Sequence, residues 1–271
     1  MKRILPAAAS LALAFSSPSR SARAATPSAH DILDRAEVAQ RLRDVTANAT
    51  LTTGDAGGGT RVKVFTMWRR LEGDGVHFAT LTRFSEPAEI RNEAILFEEH
   101  AGDENDVRLY LPRYKKVRRV EAQSQSSSFM GSALSYSDIA TPHMDDYDAR
   151  LVRSEACPGE AAVSCYVLEL TPRSEAIAEH TGYARSVQWI RADIFVPVQT
   201  ELTDRAGRLW KRIVASDVRE VDPAGHRYFT HALRVDDLLA RRFTTLRFEH
   251  VRANSGLSEA LFTAQSLAHE D

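Results

Sequence analysis

The feature that most constrains this chain is a long succession of short segments rich in β-branched and aromatic residues, each ended by Gly, Asp or Pro. Residues 60–71 (TRVKVFTMWRRL), 76–84, 93–99 and 107–111 form the first group. Residues 147–155, 164–171, 183–191, 195–203, 209–218, 227–235 and 244–251 form the second. Turn residues separate them at Gly73-Asp74-Gly75, Glu86-Pro87, Gly102-Asp103 and Asp204-Arg205-Ala206-Gly207. Short strands joined by tight turns predict a mainly β chain, a meandering antiparallel sheet of about eleven strands with few helices. The one clear helical pattern is residues 28–42, where Ser28 caps with Asp31 at the third position and apolar residues recur at helical spacing.

The N-terminus predicts a compartment. Lys2 and Arg3 precede the apolar run 4–15, and Ala22-Arg23-Ala24 matches a small-residue cleavage site. That layout predicts a signal peptide over residues 1–24 and export to the periplasm, leaving 25–271 as one domain. The apolar run is too short to span a bilayer. Without the four basic residues of that segment, 35 Lys and Arg against 37 Asp and Glu leave a net charge of −6. A net negative chain is a poor match for nucleic acid.

Cys157 and Cys165 flank a short connection between two strand segments. In an oxidising compartment such a pair is more often a bridge than two free thiols, and geometry across the hairpin decides. No Cys/His set accompanies them as zinc ligands.

Reactive groups do not converge in the sequence. The nine His are scattered, there is no H-E-x-x-H and no phosphate-binding glycine loop. Met130-Gly131-Ser132-Ala133 lacks the nucleophile-elbow pattern. The expectation is a protein that is not an enzyme and carries no cofactor or metal. Two features remain. The basic run Arg113, Lys115, Lys116, Arg118 and Arg119 reads either as a docking patch for an acidic partner or anionic headgroups, or as charges guarding an exposed strand. Residues 124–138 (SQSSSFMGSALSYSD) interrupt the strand pattern as a helical or irregular excursion. Its Phe129, Met130, Leu134 and Tyr136, with Trp68, Phe78 and Trp189 on strands, are the candidate lining of a ligand cavity. The competing reading places the strand aromatics in the core.

Several of these residues fall in motifs. Leu109-Tyr110-Leu111-Pro112, Lys116-Val117-Arg118-Arg119-Val120, Ser128-Phe129-Met130-Gly131-Ser132 and Tyr136-Ser137-Asp138-Ile139 form one block. Gly207-Arg208-Leu209-Trp210-Lys211 and Asn254-Ser255-Gly256-Leu257 follow. Together they resemble the outer-membrane lipoprotein-sorting (LolA-like) family, in the branch associated with RND or MMPL-type exporters, over roughly residues 30–268. The resemblance implies an unclosed half barrel whose helices and loop cover an apolar cavity. It implies periplasmic carriage of lipid or lipoprotein acyl chains, with such an exporter as partner. Similar half barrels occur in periplasmic lipid-sensing regulators (RseB-like), which act on a membrane signalling protein.

Overall fold

The computed structural model describes residues 26–100, 105–121, 126–139 and 144–268. The signal segment read at residues 1–24 lies outside them, as do Gly102-Asp103 and Ser124.

Thirteen strands form one antiparallel sheet. They are β1 (Asp44–Asp55), β2 (Thr60–Leu71), β3 (Phe78–Glu86), β4 (Ala94–Glu98), β5 (Asp106–Leu111) and β6 (Lys116–Arg119). Then come β7 (Tyr147–Cys157), β8 (Glu160–Pro172), β9 (Tyr183–Arg191), β10 (Pro197–Asp204), β11 (Leu209–Asp222), β12 (Arg227–Asp237) and β13 (Arg242–Ala253). The order is β6-β5-β4-β3-β2-β1-β13-β12-β11-β10-β9-β8-β7. Two strands exceed the predicted eleven, for opposite reasons. β1 (DVTANATLTTGD) is built from small and hydroxyl side chains that give little strand signal, and β6 (KVRR) is a charged edge strand with all four residues exposed.

The two edges, β6 and β7, are consecutive in the chain, and the described part of the segment joining them, residues 126–139, crosses one face of the sheet. That crossing shows that the sheet curls. Phe129 stacks near Phe97 of β4, ring centroids 6.2 Å apart. Asp138 accepts a hydrogen bond from the Tyr183 hydroxyl at the start of β9, at 2.5 Å. β4 and β9 are eight neighbours apart in the sheet, about 38 Å if flat at ~4.8 Å per strand. The chain from Phe129 to Asp138 is folded back on itself, the Phe129 N–H donating to the Leu134 carbonyl at 2.7 Å. So compact a segment reaches both strands only if they face one another. Residues 126–139 therefore plug the hollow of a half barrel, and the face they cover is called inner below.

Helix α1 (Ala29–Gln40) covers the inner face at the β7–β9 side. Ser28 and Asp31 form the expected capping box. Ile32, Leu33 and Ala36 are buried against Leu168, Leu170 and Ile190. Burying Ile32 and Leu33 contributes about 1.5–3 kcal/mol each. On the outer face the C-terminal segment packs Phe262 and Leu267 over Ala79, Leu81, Leu96 and Tyr110. Asp44 anchors that segment, accepting from the Ser255 and Gly256 N–H groups at 2.7 and 2.8 Å.

Cys157 and Cys165 are bonded across the β7–β8 hairpin, Cα–Cα 5.0 Å. They pack with Val167 and Trp189. The bridge closes a loop of sequence separation 8. Replacing both cysteines with Ala is expected to lower unfolding free energy by about 2.5 kcal/mol, the chain-entropy value for so short a loop, measured by urea denaturation.

Candidate functional site

The inner face is an apolar bowl. Phe65, Phe84, Ile95, Phe97, Val107, Leu246 and Phe248 form its buried floor and wall. Ala47 and Ala49 of the central strand β1 stand beside Met67 and Phe65 of β2, small side chains that leave depth above them. The plug fills that depth. Phe129 and Leu134 are 2% and 6% exposed. Tyr136 meets Phe129 edge-on at 5.5 Å, and Met130 packs at the margin. From residue 126 on, the excursion predicted from sequence forms a short 3-10 turn at Phe129–Gly131 closed by a Ser128–Ser135 bridge.

Polar contacts tie the plug to the sheet at two places among the described residues. The Ala133 N–H donates to Thr244 Oγ1 at 2.8 Å, and Thr244 is fully buried. Asp138 provides the other tie. Lys211 Nζ donates to Asp138 Oδ2 at 2.7 Å and to the Tyr183 oxygen at 2.8 Å, while the Tyr183 hydroxyl donates to Asp138 Oδ1. The Lys211 and Asp138 side chains are 2% and 4% exposed. Burial first, then the Asp138 charge, pushes the Tyr183 hydroxyl far above its ordinary pKa, so it remains a donor. Lys211 also lies over the Trp210 ring at 4.6 Å. A buried cation and anion are tolerable here because each is satisfied by the other and by Tyr183.

The structure separates the predicted lining residues. Phe129, Met130, Leu134 and Tyr136 come together in the bowl. Phe78 has inner-face parity but sits at the rim under Arg69, whose guanidinium stacks on its ring at 3.9 Å. Trp68 and Trp189 lie on the outer face and do not line the hollow. Trp68 packs beside Leu81 under the C-terminal segment. Trp189 packs on the disulfide and donates its Nε1–H to Glu155 at 2.7 Å. Both are strand aromatics of the wrong parity. The reading from aromatic type alone missed Met67, Ile213, Phe229, Leu233 and Val251, half-buried around the bowl. Lys211 was also missed as a site residue. The signal was available, since Lys211 shares its face with Ile213 on β11, a charge in an apolar series.

Beside α1 a cleft of ≈ 320 Å³ opens between Val38, Ile194, Phe195 and Tyr228, with Arg35 over the Phe195 ring at 5.1 Å. The basic run occupies the β5–β6 turn and edge strand β6. Arg119 pairs with Asp106 at 2.6 Å, and Arg113, Lys115, Lys116 and Arg118 are exposed. Among the described residues no group of three or more His, Cys, Asp and Glu is placed to hold a metal ion. No described helix is long and apolar enough to cross a membrane.

A family model described as that of an uncharacterized protein matches residues 78–269. A DUF1329 family protein from Desulfovibrio piger superposes with a TM-score of 0.81 at 28% identity, over 88% of this chain and 97% of that one. A LolA superfamily protein from Nitrosomonas europaea superposes at 0.68 with 20% identity, over 89% and 100%.

The chain belongs to that family of uncharacterized proteins, and its fold is LolA-like.

A domain from Vibrio parahaemolyticus named for outer membrane lipoprotein sorting shares the LolA-like fold, with TM-score 0.80, 23% identity and 88% and 97% coverage. No curated protein matches the chain. The thirteen-stranded open sheet with an inner plug is therefore the LolA-like half barrel.

Proposed function

We propose that this LolA-like protein is a periplasmic carrier that takes an acyl-chain-like ligand into the bowl when the plug swings out. One observation carries the reading. The apolar surface of the inner face is covered by a short non-sheet segment, tied to the sheet at the Asp138 cluster and at Thr244. Sheet and disulfide stay intact when such a segment moves, because it contributes no ladder to either.

The energies are commensurate. Seating Phe129 and Leu134 contributes about 3–6 kcal/mol at 1.5–3 kcal/mol each. An acyl chain that buries about four to eight methylenes, at about 0.8 kcal/mol each, offsets that loss. A shorter chain does not. The ligand leaves by the reverse exchange, and the resemblance favours a membrane exporter of the RND type as the partner in hand-off.

Organic extraction and mass spectrometry of protein purified from its native host are expected to recover lipid. A dansyl-labelled undecanoate is expected to bind with a blue-shifted emission. Recovery of no lipid together with no probe binding would remove the carrier reading.

A further inference from the structure

In an antiparallel meander alternate turns share one end of the sheet. The β1–β2, β5–β6, β10–β11 and β12–β13 turns all lie at the end where β1 finishes beside Arg242 and β2 begins. This end has an unusual surface. Tyr114 is 63% exposed at the tip of the β5–β6 turn, and Leu238 and Leu239 are 40% and 42% exposed in the β12–β13 turn. Leu209, 36% exposed, lies against them, since the Leu238 N–H donates to the Trp210 carbonyl at 2.8 Å. Val62, 48% exposed, adds an apolar side chain on β2.

Cations stand between these apolar tips. Arg61, Arg113, Lys115, Lys116 and Arg241 are exposed at this end and form no ion pair among the described residues. The acids here are largely taken. Asp204 pairs with Arg208 at 2.7 Å, Asp237 with Arg242 at 3.2 Å, and Glu175 with Arg205. Among the described residues Asp55, Glu86, Glu89 and Glu93 remain along the arc from β6 to β11, against those five cations and the likewise unpaired Lys63 and Arg91, so the free charge of the arc is positive although the chain as a whole is negative; Asp145 and Asp146 stand beyond it, before β7.

We infer that this end is a membrane-docking rim, seated on a bilayer surface of anionic lipid with Leu238, Leu239 and Tyr114 in the interfacial layer. The arrangement fits a lipid surface better than a protein partner. The apolar side chains sit in small separate groups, Leu209 with Leu238 and Leu239, Tyr114 alone and Val62 alone, along an arc from β6 to β11, with basic residues between them. A stable protein interface needs a contiguous, well-packed apolar centre. A bilayer interface needs only tips that reach it and cations that meet mobile anionic headgroups. The placement also bears on the plug. Trp210, which holds Leu238, is followed by Lys211, which holds Asp138.

The test is co-sedimentation of the purified protein with vesicles. Equimolar phosphatidylglycerol–phosphatidylcholine vesicles are expected to bring it down, pure phosphatidylcholine vesicles are not, and added salt is expected to release it. Leu238→Ser/Leu239→Ser and Lys115→Glu/Lys116→Glu are each expected to weaken vesicle binding about ten-fold or more. All these positions are exposed, so thermal midpoint and undecanoate-probe binding are expected to stay at the starting values. No sedimentation with anionic vesicles overturns the inference, as does wild-type binding by both variants or equal binding to the neutral vesicles. The inference does not rest on carriage of a ligand. Probe binding in the same samples reports on carriage separately, so failure of one reading is distinguishable from failure of the other.

Discussion

Lys211→Met, made with Asp138 left in place, is expected to lower the unfolding free energy by about 3–5 kcal/mol, the usual cost of stranding one partner of a buried ion pair. Both side chains are almost fully buried, so water does not replace the lost ammonium. Asp138 keeps the Tyr183 hydroxyl and the Ser135 N–H, at 2.5 and 2.7 Å, which places the loss toward the lower part of that range. The companion variant Lys211→Met/Asp138→Leu removes both charges and is expected to recover much of the stability, since well-packed apolar replacements of buried pairs are often neutral. Urea denaturation of the wild type, the two single variants and the double variant gives the coupling directly. A latch predicts more than stability. Either single variant frees the plug, so undecanoate uptake in stopped flow is expected to speed up. A large stability loss with an unchanged uptake rate would make the cluster structural only.

Phe129→Ala separates plug from core. A buried Phe truncated in a fixed core costs about 3–5 kcal/mol. Phe84 supplies that reference, since it is 1% exposed on the same face and packs on Phe65 at 5.2 Å. Phe84→Ala is expected to show the full cost, because β3 is held by ladders on both sides. Phe129→Ala is expected to cost less, the loss being capped by the free energy of seating the plug. It is also expected to tighten probe binding. The ligand then displaces less apolar surface, and about 1.5–3 kcal/mol of transfer energy corresponds to about ten- to a hundred-fold in affinity. Equal destabilisation by the two variants, with no gain in affinity, would mean that Phe129 is fixed core and the bowl is closed to ligands.

Much of the architecture was legible in the residues. Turn punctuation located most of the strands, Ser28 and Asp31 marked the start of α1, and the spacing of Cys157 and Cys165 placed them on one hairpin. Residues 124–138 stood out as a break in the strand pattern, and what the resemblance added was the unclosed half barrel and the motif in which Phe129, Met130 and Tyr136 stand. The aromatics were read less well. Trp68, Phe78 and Trp189 were grouped with Phe129 because all are large and apolar, yet β-strand alternation sends two of the three to the opposite face.

The sequence by itself determined which segments are strands, where they turn and which side chains share a face, because those properties arise from steric and pairing rules acting over a few residues. Only the tertiary structure decided which face is the inside. That choice depends on the curl of thirteen strands, which brings β4 opposite β9 and carries Asp138 onto Lys211 across a sequence separation of 73. A charge in an apolar series is an anomaly until the chain closes on itself and supplies its counter-ion. Burial then makes the pair the tie that holds the plug in the bowl.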